Sequence, residues 1–322
     1  LQVLNNRENG ENMVDIVSIG EALIDLTQTG TDEKGTPRYA AFPGGAPANV
    51  AVAAARLEAN TGFIGLVGED SFGHGLIGMF EEEGVDTSQV STTGECPTTL
   101  AIVSIDENGE RSFAFYRDPG SDTRITAEYA VDAVKALEPG ILHFGSLSFT
   151  HEPSRSATLA AVEIAREKGA LISYDPNYRP ALWQSEEEAV ERMKEPLGLV
   201  DILKVSDEEM VMLTGSSDLE EGSLLFSEHG ISLVMVTLGS EGVFYRFGET
   251  TGRIKGIKVK VADTNGAGDT FLGAVLMQIA GDEFDLKEEL LPDFIAFANK
   301  AASITCSRPG AIPAMPRLDE VK

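Results

Sequence analysis

The sequence predicts an α/β fold: a doubly wound, mostly parallel sheet flanked by helices, with a small β-lid. Three observations point there. From residue 127 onward, helical patterns alternate with short apolar runs at 141–144, 171–175, 202–205 and 233–237. Each run is continuously apolar rather than alternating, as expected of strands covered by helices on both faces. An alternating pattern at 98–116, broken by Asp106-Glu107-Asn108-Gly109, stands outside that rhythm and reads as a β-hairpin around an Asn-Gly turn.

Taken in order, residues 14–20 form a first apolar strand, and a helix follows from Pro47 to Leu57 with proline in its first turn, where the missing N–H costs little. A strand at 61–67 and a helix at 72–83 closed by Gly84 precede the hairpin. The hairpin, with residues 36–41, reads as a lid. Helices at 127–137, 153–168, 186–195 and 207–213, and another near Leu224, separate the later strands. This rhythm is that of one domain over 13–318, with lid strands within 36–43 and 98–117. Residues 1–12 are polar and lack an apolar signal core, so they read as a disordered extension or an expression remnant, with Met13 as the natural start.

The 322 residues are 42% hydrophobic and carry a formal charge of −27, from 25 basic and 52 acidic side chains. So acidic a surface argues against nucleic acid or an anionic membrane as a partner, and requires a local positive site for any anionic substrate. No apolar run approaches the ~18 residues of a membrane span. Cys96 and Cys306 form no CxxC pattern, and the four histidines lack metal-ligand spacing, which fits a reducing cytoplasm.

The most informative stretch is Asp263-Thr264-Asn265-Gly266-Ala267-Gly268-Asp269, which feeds directly into a helical run. A Gly-rich bend at a helix N-terminus leaves backbone N–H groups unpaired and attracts anions, phosphate above all. A carboxylate in such a place makes sense if Asp269 takes a proton from a nucleophile while the N–H groups hold the phosphoryl group under attack. A second Gly-rich helix start, Gly44-Gly45-Ala46-Pro47-Ala48-Asn49, together with Asp25 offers N–H groups, an amide and a carboxylate suited to a polyhydroxylated ligand. Asn177 and Arg179 follow a buried strand at the edge where ligands bind in open α/β folds, and Arg179 supplies a positive charge there. Thr237, Gly239 and Gly242 close another strand at the same edge. Gly-Lys occurs nowhere, which excludes a Walker A loop. Gly73-His74-Gly75-Leu76-Ile77-Gly78 matches GxGxxG but lies inside a helical run, where helix packing explains it better than a dinucleotide.

In this order the motifs resemble the PfkB, or ribokinase-like, carbohydrate kinase family from about Met13 to Pro316, and 44–49, 175–183 and 310–316 look like its fructokinase branch. The resemblance implies ATP-dependent phosphorylation of a sugar's primary hydroxyl, with fructose converted to fructose 6-phosphate. A 2-keto-3-deoxygluconate kinase or ribokinase is the same-family alternative, and a non-catalytic sugar- or nucleotide-binding regulator the alternative from another class. It also implies residue roles. Asp269 would be the base and the N–H groups of Gly266, Ala267 and Gly268 the anion hole. Asp25, Gly44, Gly45, Asn49, Asn177 and Arg179 would hold the sugar, with Phe115 or Arg117 reaching it from the lid. Thr237, Gly239 and Gly242 would lie along ATP and Asn299 near the adenine. Glu209 would act on Mg²⁺ through water, although the family's Asn-x-x-Glu is Ser206-Asp207-Glu208-Glu209 here. Asp263, Asn265 and Gly310 match a monovalent-cation site, which implies K⁺. Relatives often pair through the lid, so a homodimer is among the expectations.

Overall fold

The computed structural model describes residues 13–105 and 111–322; the expectations for residues 1–12 and for the turn at 106–109 lie outside the described residues. The N-terminal half runs β1 (Ile16–Ile19), β2 (Leu23–Thr31), β3 (Pro37–Gly44), α1 (Ala46–Arg56), β4 (Thr61–Gly68), α2 (Ser71–Glu82), β5 (Val85–Asp86), β6 (Val90–Thr93), β7 (Leu100–Ile105) and β8 (Arg111–Tyr116). Then come α3 (Ala127–Leu137), β9 (Ile141–Gly145), α4 (Ser154–Glu167), β10 (Leu171–Asp175), α5 (Glu186–Lys194), β11 (Ile202–Ser206), α6 (Asp207–Thr214) and α7 (Leu219–Ser227). The chain ends with β12 (Leu233–Thr237), β13 (Gly242–Phe247), β14 (Thr250–Lys255), α8 (Ala267–Gly281), α9 (Leu291–Cys306) and α10 (Leu318–Val321).

The main sheet has the order β14-β13-β12-β11-β10-β9-β1-β4-β5, with β6 also paired to β4. It is parallel from β12 to β5 and antiparallel only where β13 and β14 extend one edge. Helices cover both faces because alternate residues of each strand point to opposite sides. Ile16 of β1 packs in the cluster with Leu272, Val275 and Ile295 of α8 and α9. Its neighbour Val17 packs in the cluster with Val134, Ala161 and Val162 of α3 and α4. The continuous apolar runs are therefore two alternating patterns superposed.

The smaller sheet has the order β3-β2-β7-β8. It contains a strand absent from the sequence reading, β2, in which Asp25 pairs with Phe42 of β3 and Ala101 of β7. The glycines at 73–78 belong to α2, capped by Asp70. Gly73 is there for packing, since a Cβ would lie 2.0 Å from the Gly68 carbonyl oxygen.

Candidate active site

At the start of α8, Gly266 is the N-cap with φ 73°, a left-handed conformation that lets the chain turn into the helix without a Cβ. The first helical bond runs from the Thr270 N–H to the Gly266 carbonyl at 2.8 Å. One expectation changes here. The Ala267 N–H donates to the Thr264 carbonyl at 3.3 Å, so it is tied back into the turn rather than open. Gly268 and Asp269, next in the first turn, have no intrahelical acceptor within reach. A Cβ on Gly268 would stand 2.9 Å from Lys204 Nζ, so the glycine keeps backbone and ammonium close together.

Asp269 is buried, and its Oδ2 accepts from Asn49 Nδ2 at 2.8 Å while Oδ1 accepts from Asn177 Nδ2 at 3.4 Å. Residues from three distant stretches thus converge on one carboxylate. Burial raises its pKa from 3.8 to about 6, and the Asp175 charge adds to the rise; Asn49, Lys204 and Arg179 oppose it. Asp25 is likewise raised to about 6, by burial first, against the lowering influence of Arg179.

Two cavities of about 600 Å³ each meet at this point. Thr237, Gly239, Gly242 and Asn299 line the first, beside apolar Val243 and Phe271. Asp25, Gly45, Asn49, Phe115, Asn177 and Arg179 line the second, as does Asp269. Thr264 and Gly268 line both. Gly44 acts by absence: a Cβ there would be 2.6 Å from Asp25 Oδ2. At Gly45, φ is 108° and a Cβ would be 2.4 Å from the Glu21 carbonyl oxygen.

Arg117 departs from the expected sugar contact. Its buried guanidinium binds Asp122 at 2.7 Å, the Leu147 carbonyl at 2.9 Å and the Thr150 hydroxyl, and it does not line the cavity. Phe115, the alternative named with it, does line the cavity.

Glu209 also has structural work. Its Oε2 accepts from the Ser206 N–H at 2.8 Å while the Ser206 hydroxyl accepts from the Glu209 N–H at 3.1 Å, a capping box that explains the serine. Its Oε1 accepts from the Tyr178 N–H at 2.7 Å. Each oxygen keeps a lone pair for a metal-bound water, while no cluster of three acidic, His or Cys side chains among the described residues could cage a metal. That donor set fits Mg²⁺ carried mainly by substrate phosphates. Asp263 gathers the proposed cation set, its Oδ1 accepting from the Asn265 N–H at 3.1 Å and Oδ2 from the Gly310 N–H at 3.2 Å.

Sequence reasoning missed Lys204 and Asp175, a buried pair at 2.8 Å directly behind Gly268. The available signal was a lysine in the middle of an apolar strand, Ile202-Leu203-Lys204-Val205. It also missed Glu21, which lines the second cavity.

Comparison with known proteins identifies the family and the fold. Residues 13–318 match the model of the pfkB family carbohydrate kinases. The chain is 41% identical over 310 residues to fructokinase-2 of Solanum lycopersicum, covering 95% of this chain and 94% of the relative. Among solved structures it resembles a fructokinase from Xylella fastidiosa with bound ATP, at a TM-score of 0.86 and 33% identity, covering 95% and 96% of the two chains. A fructokinase from Vibrio cholerae O395 bound to fructose, ADP and calcium has a TM-score of 0.85 at 32% identity, covering 96% and 98%.

Proposed function

The chain belongs to the pfkB family of carbohydrate kinases, and from that premise we propose that it is an ATP-dependent fructokinase making fructose 6-phosphate. The observation that carries the reading is that Asp269 stands where two cavities join across Gly268 and Thr264. One cavity is shaped by glycines and apolar side chains for a nucleotide. The other is polar and suited to a sugar.

In this mechanism the sugar's 6-hydroxyl oxygen attacks the γ-phosphorus of ATP, the bond to the β–γ bridging oxygen breaks, and ADP leaves. The hydroxyl proton passes to Asp269, which is ionised at neutral pH because about 6 lies below it. Asn49 and Asn177 hold the carboxylate in place by its two oxygens. The first-turn N–H groups of Gly268 and Asp269, with Lys204 behind them, meet the negative charge of the transferring phosphoryl group. Glu209 would hold Mg²⁺ through water, and the ion would supply neutralisation of phosphate charge. Asp263, Asn265 and Gly310 form the monovalent-cation position, and activation by K⁺ over Na⁺ tests it. Closure of the lid over Phe115 would exclude water as a competing acceptor.

Fructose is favoured over a keto-acid because Arg117, one of the two cations such a substrate could use, is already committed to Asp122, which leaves the other, Arg179, beside three carboxylates in the cavity. A panel of fructose, 2-keto-3-deoxygluconate and ribose with ATP and Mg²⁺ tests this. Fructose should be turned over fastest; turnover of the keto-acid without fructose overturns the reading. A cytoplasmic location fits two free cysteines and an ATP donor. Pairing through the lid, where Tyr39 and Tyr116 are exposed, is the oligomeric expectation, and light scattering measures it.

A further inference from the structure

The lid joins the main domain through four chain segments, and their ends converge on one buried charged cluster. Glu21 precedes β2, Ala46 follows β3, Thr99 precedes β7 and Arg117 follows β8. The Ala46 N–H donates to Glu21 Oε1 at 3.0 Å. Thr99 and Arg117 both donate to Asp122, the latter through Nε at 2.8 Å. Among the side chains of Glu21, Thr99, Arg117 and Asp122, the buried atom without a hydrogen-bond partner among the described residues is Glu21 Oε2. Glu21 is 2% exposed, yet it lines the sugar cavity. Leaving a buried carboxylate oxygen unpaired costs on the order of 1–3 kcal/mol, so such an oxygen calls for a partner.

We propose that Glu21 is a specificity-determining residue: its Oε2 pairs with a hydroxyl of a neutral sugar, and its carboxylate keeps anionic sugar acids out. The inference rests on the fructokinase reading above and names how that site selects its substrate class. Three carboxylates, Glu21, Asp25 and Asp269, line the cavity. Against them, among the described residues, stand Arg179 and Lys204, and Lys204 is already paired with Asp175. A substrate carboxylate would enter a cavity whose charge is already negative, whereas a hydroxyl can donate to one carboxylate and accept from another when protonated. Burial, with the nearby Asp122 charge, lifts the Glu21 carboxyl to about 7 against the pull of Arg117, so both forms are present near neutral pH.

The test compares wild type with Glu21→Gln, which keeps the acceptor for Ala46 and removes the charge. The KM for fructose should rise about tenfold with kcat within about threefold and the KM for ATP unchanged. The preference for fructose over 2-keto-3-deoxygluconate, as a ratio of kcat/KM, should fall at least about tenfold. A merely structural role would move the melting temperature and leave that ratio alone. Fructose KM and the ratio both within about twofold of wild type would overturn the role of Glu21. Should the glutamine variant not fold, Glu21→Asp withdraws the carboxyl by one methylene and must raise the fructose KM; an unchanged value is equally fatal. A wild-type protein that does not turn fructose over sinks the fructokinase reading itself, a result distinct from an active wild type with an indifferent variant.

Discussion

The two Gly-rich helix starts of this protein are built alike and used differently. Both α1 and α8 begin at a glycine with positive φ, 108° at Gly45 and 73° at Gly266, and neither has a side-chain cap of its own. The helices pack closely enough that a Cβ on Gly273 of α8 would stand 2.9 Å from the Val50 carbonyl oxygen of α1. At α1, however, the first N–H is taken by a protein carboxylate, Glu21. At α8 the first N–H is tied to the Thr264 carbonyl, no side chain among the described residues caps the turn, and a lysine waits behind it. A helix start filled from within fixes a wall; one left open receives an anion that must come and go. Asn49 of the first start and Asp269 of the second then meet across the gap.

The sharpest way to break this comparison is Asp269→Asn. Turnover should fall by roughly 10³-fold or more while the fructose KM stays within about threefold, since only the proton acceptor is lost. An unchanged kcat would end the assignment of Asp269 as base. The same variant carries a stability signature. Asp269 has a folded pKa raised from 3.8 to about 6, so the stability it contributes is full below pH 3.8 and lost as pH rises through about 6. Asp269→Asn should therefore melt higher than wild type at pH 8, by roughly 1–3 °C, with the gap closing toward pH 4.

Next in size is a paired substitution. Gly268→Ala puts a methyl group 2.9 Å from Lys204 Nζ, and should lower kcat by about 100-fold. Gly45→Ala meets the Glu21 carbonyl oxygen at 2.4 Å and a positive φ, and should first lose melting temperature and fructose affinity, at a cost on the order of 2–3 kcal/mol. Steady-state kinetics beside thermal melts distinguishes the two; equal kinetic losses would mean the two starts are not functionally different.

The acid limb of kcat/KM should break near pH 6 and fall at least tenfold per unit below it, with more than one proton involved because Asp25 and Asp269 are both raised to about 6 and feel each other. Lys204→Met removes a charge that lowers the Asp269 pKa, so the break should move upward. Since Asp175 would be left buried and unpaired, this variant should also lose about 3–5 kcal/mol of stability by chemical denaturation. A break that stays put would remove Lys204 from the electrostatics of the site.

Much of this molecule was legible in its residues. The apolar runs at 141–144, 171–175, 202–205 and 233–237 name their strands because a strand covered on both faces is mostly apolar, with buried exceptions such as Lys204 and Asp175 that pair with each other. Gly266 and Asp269 announced an anion site because helix starts obey local rules. What stayed hidden depends on partners distant in sequence. Strand β2 was invisible because its lid face alternates weakly, and its pairing with β7 lies some seventy residues away. Arg117 looked free for a ligand until Asp122 and Leu147 closed around it. Glu21 and Lys204 carried no motif that marked them, and only burial beside the cavity brings them into view. The sequence by itself determined the alternating strands and helices of the main sheet, and singled out one helix start as the expected phosphate site. The tertiary structure decided which charges are consumed and which remain for chemistry, because burial and pairing are set by neighbours that only packing brings together.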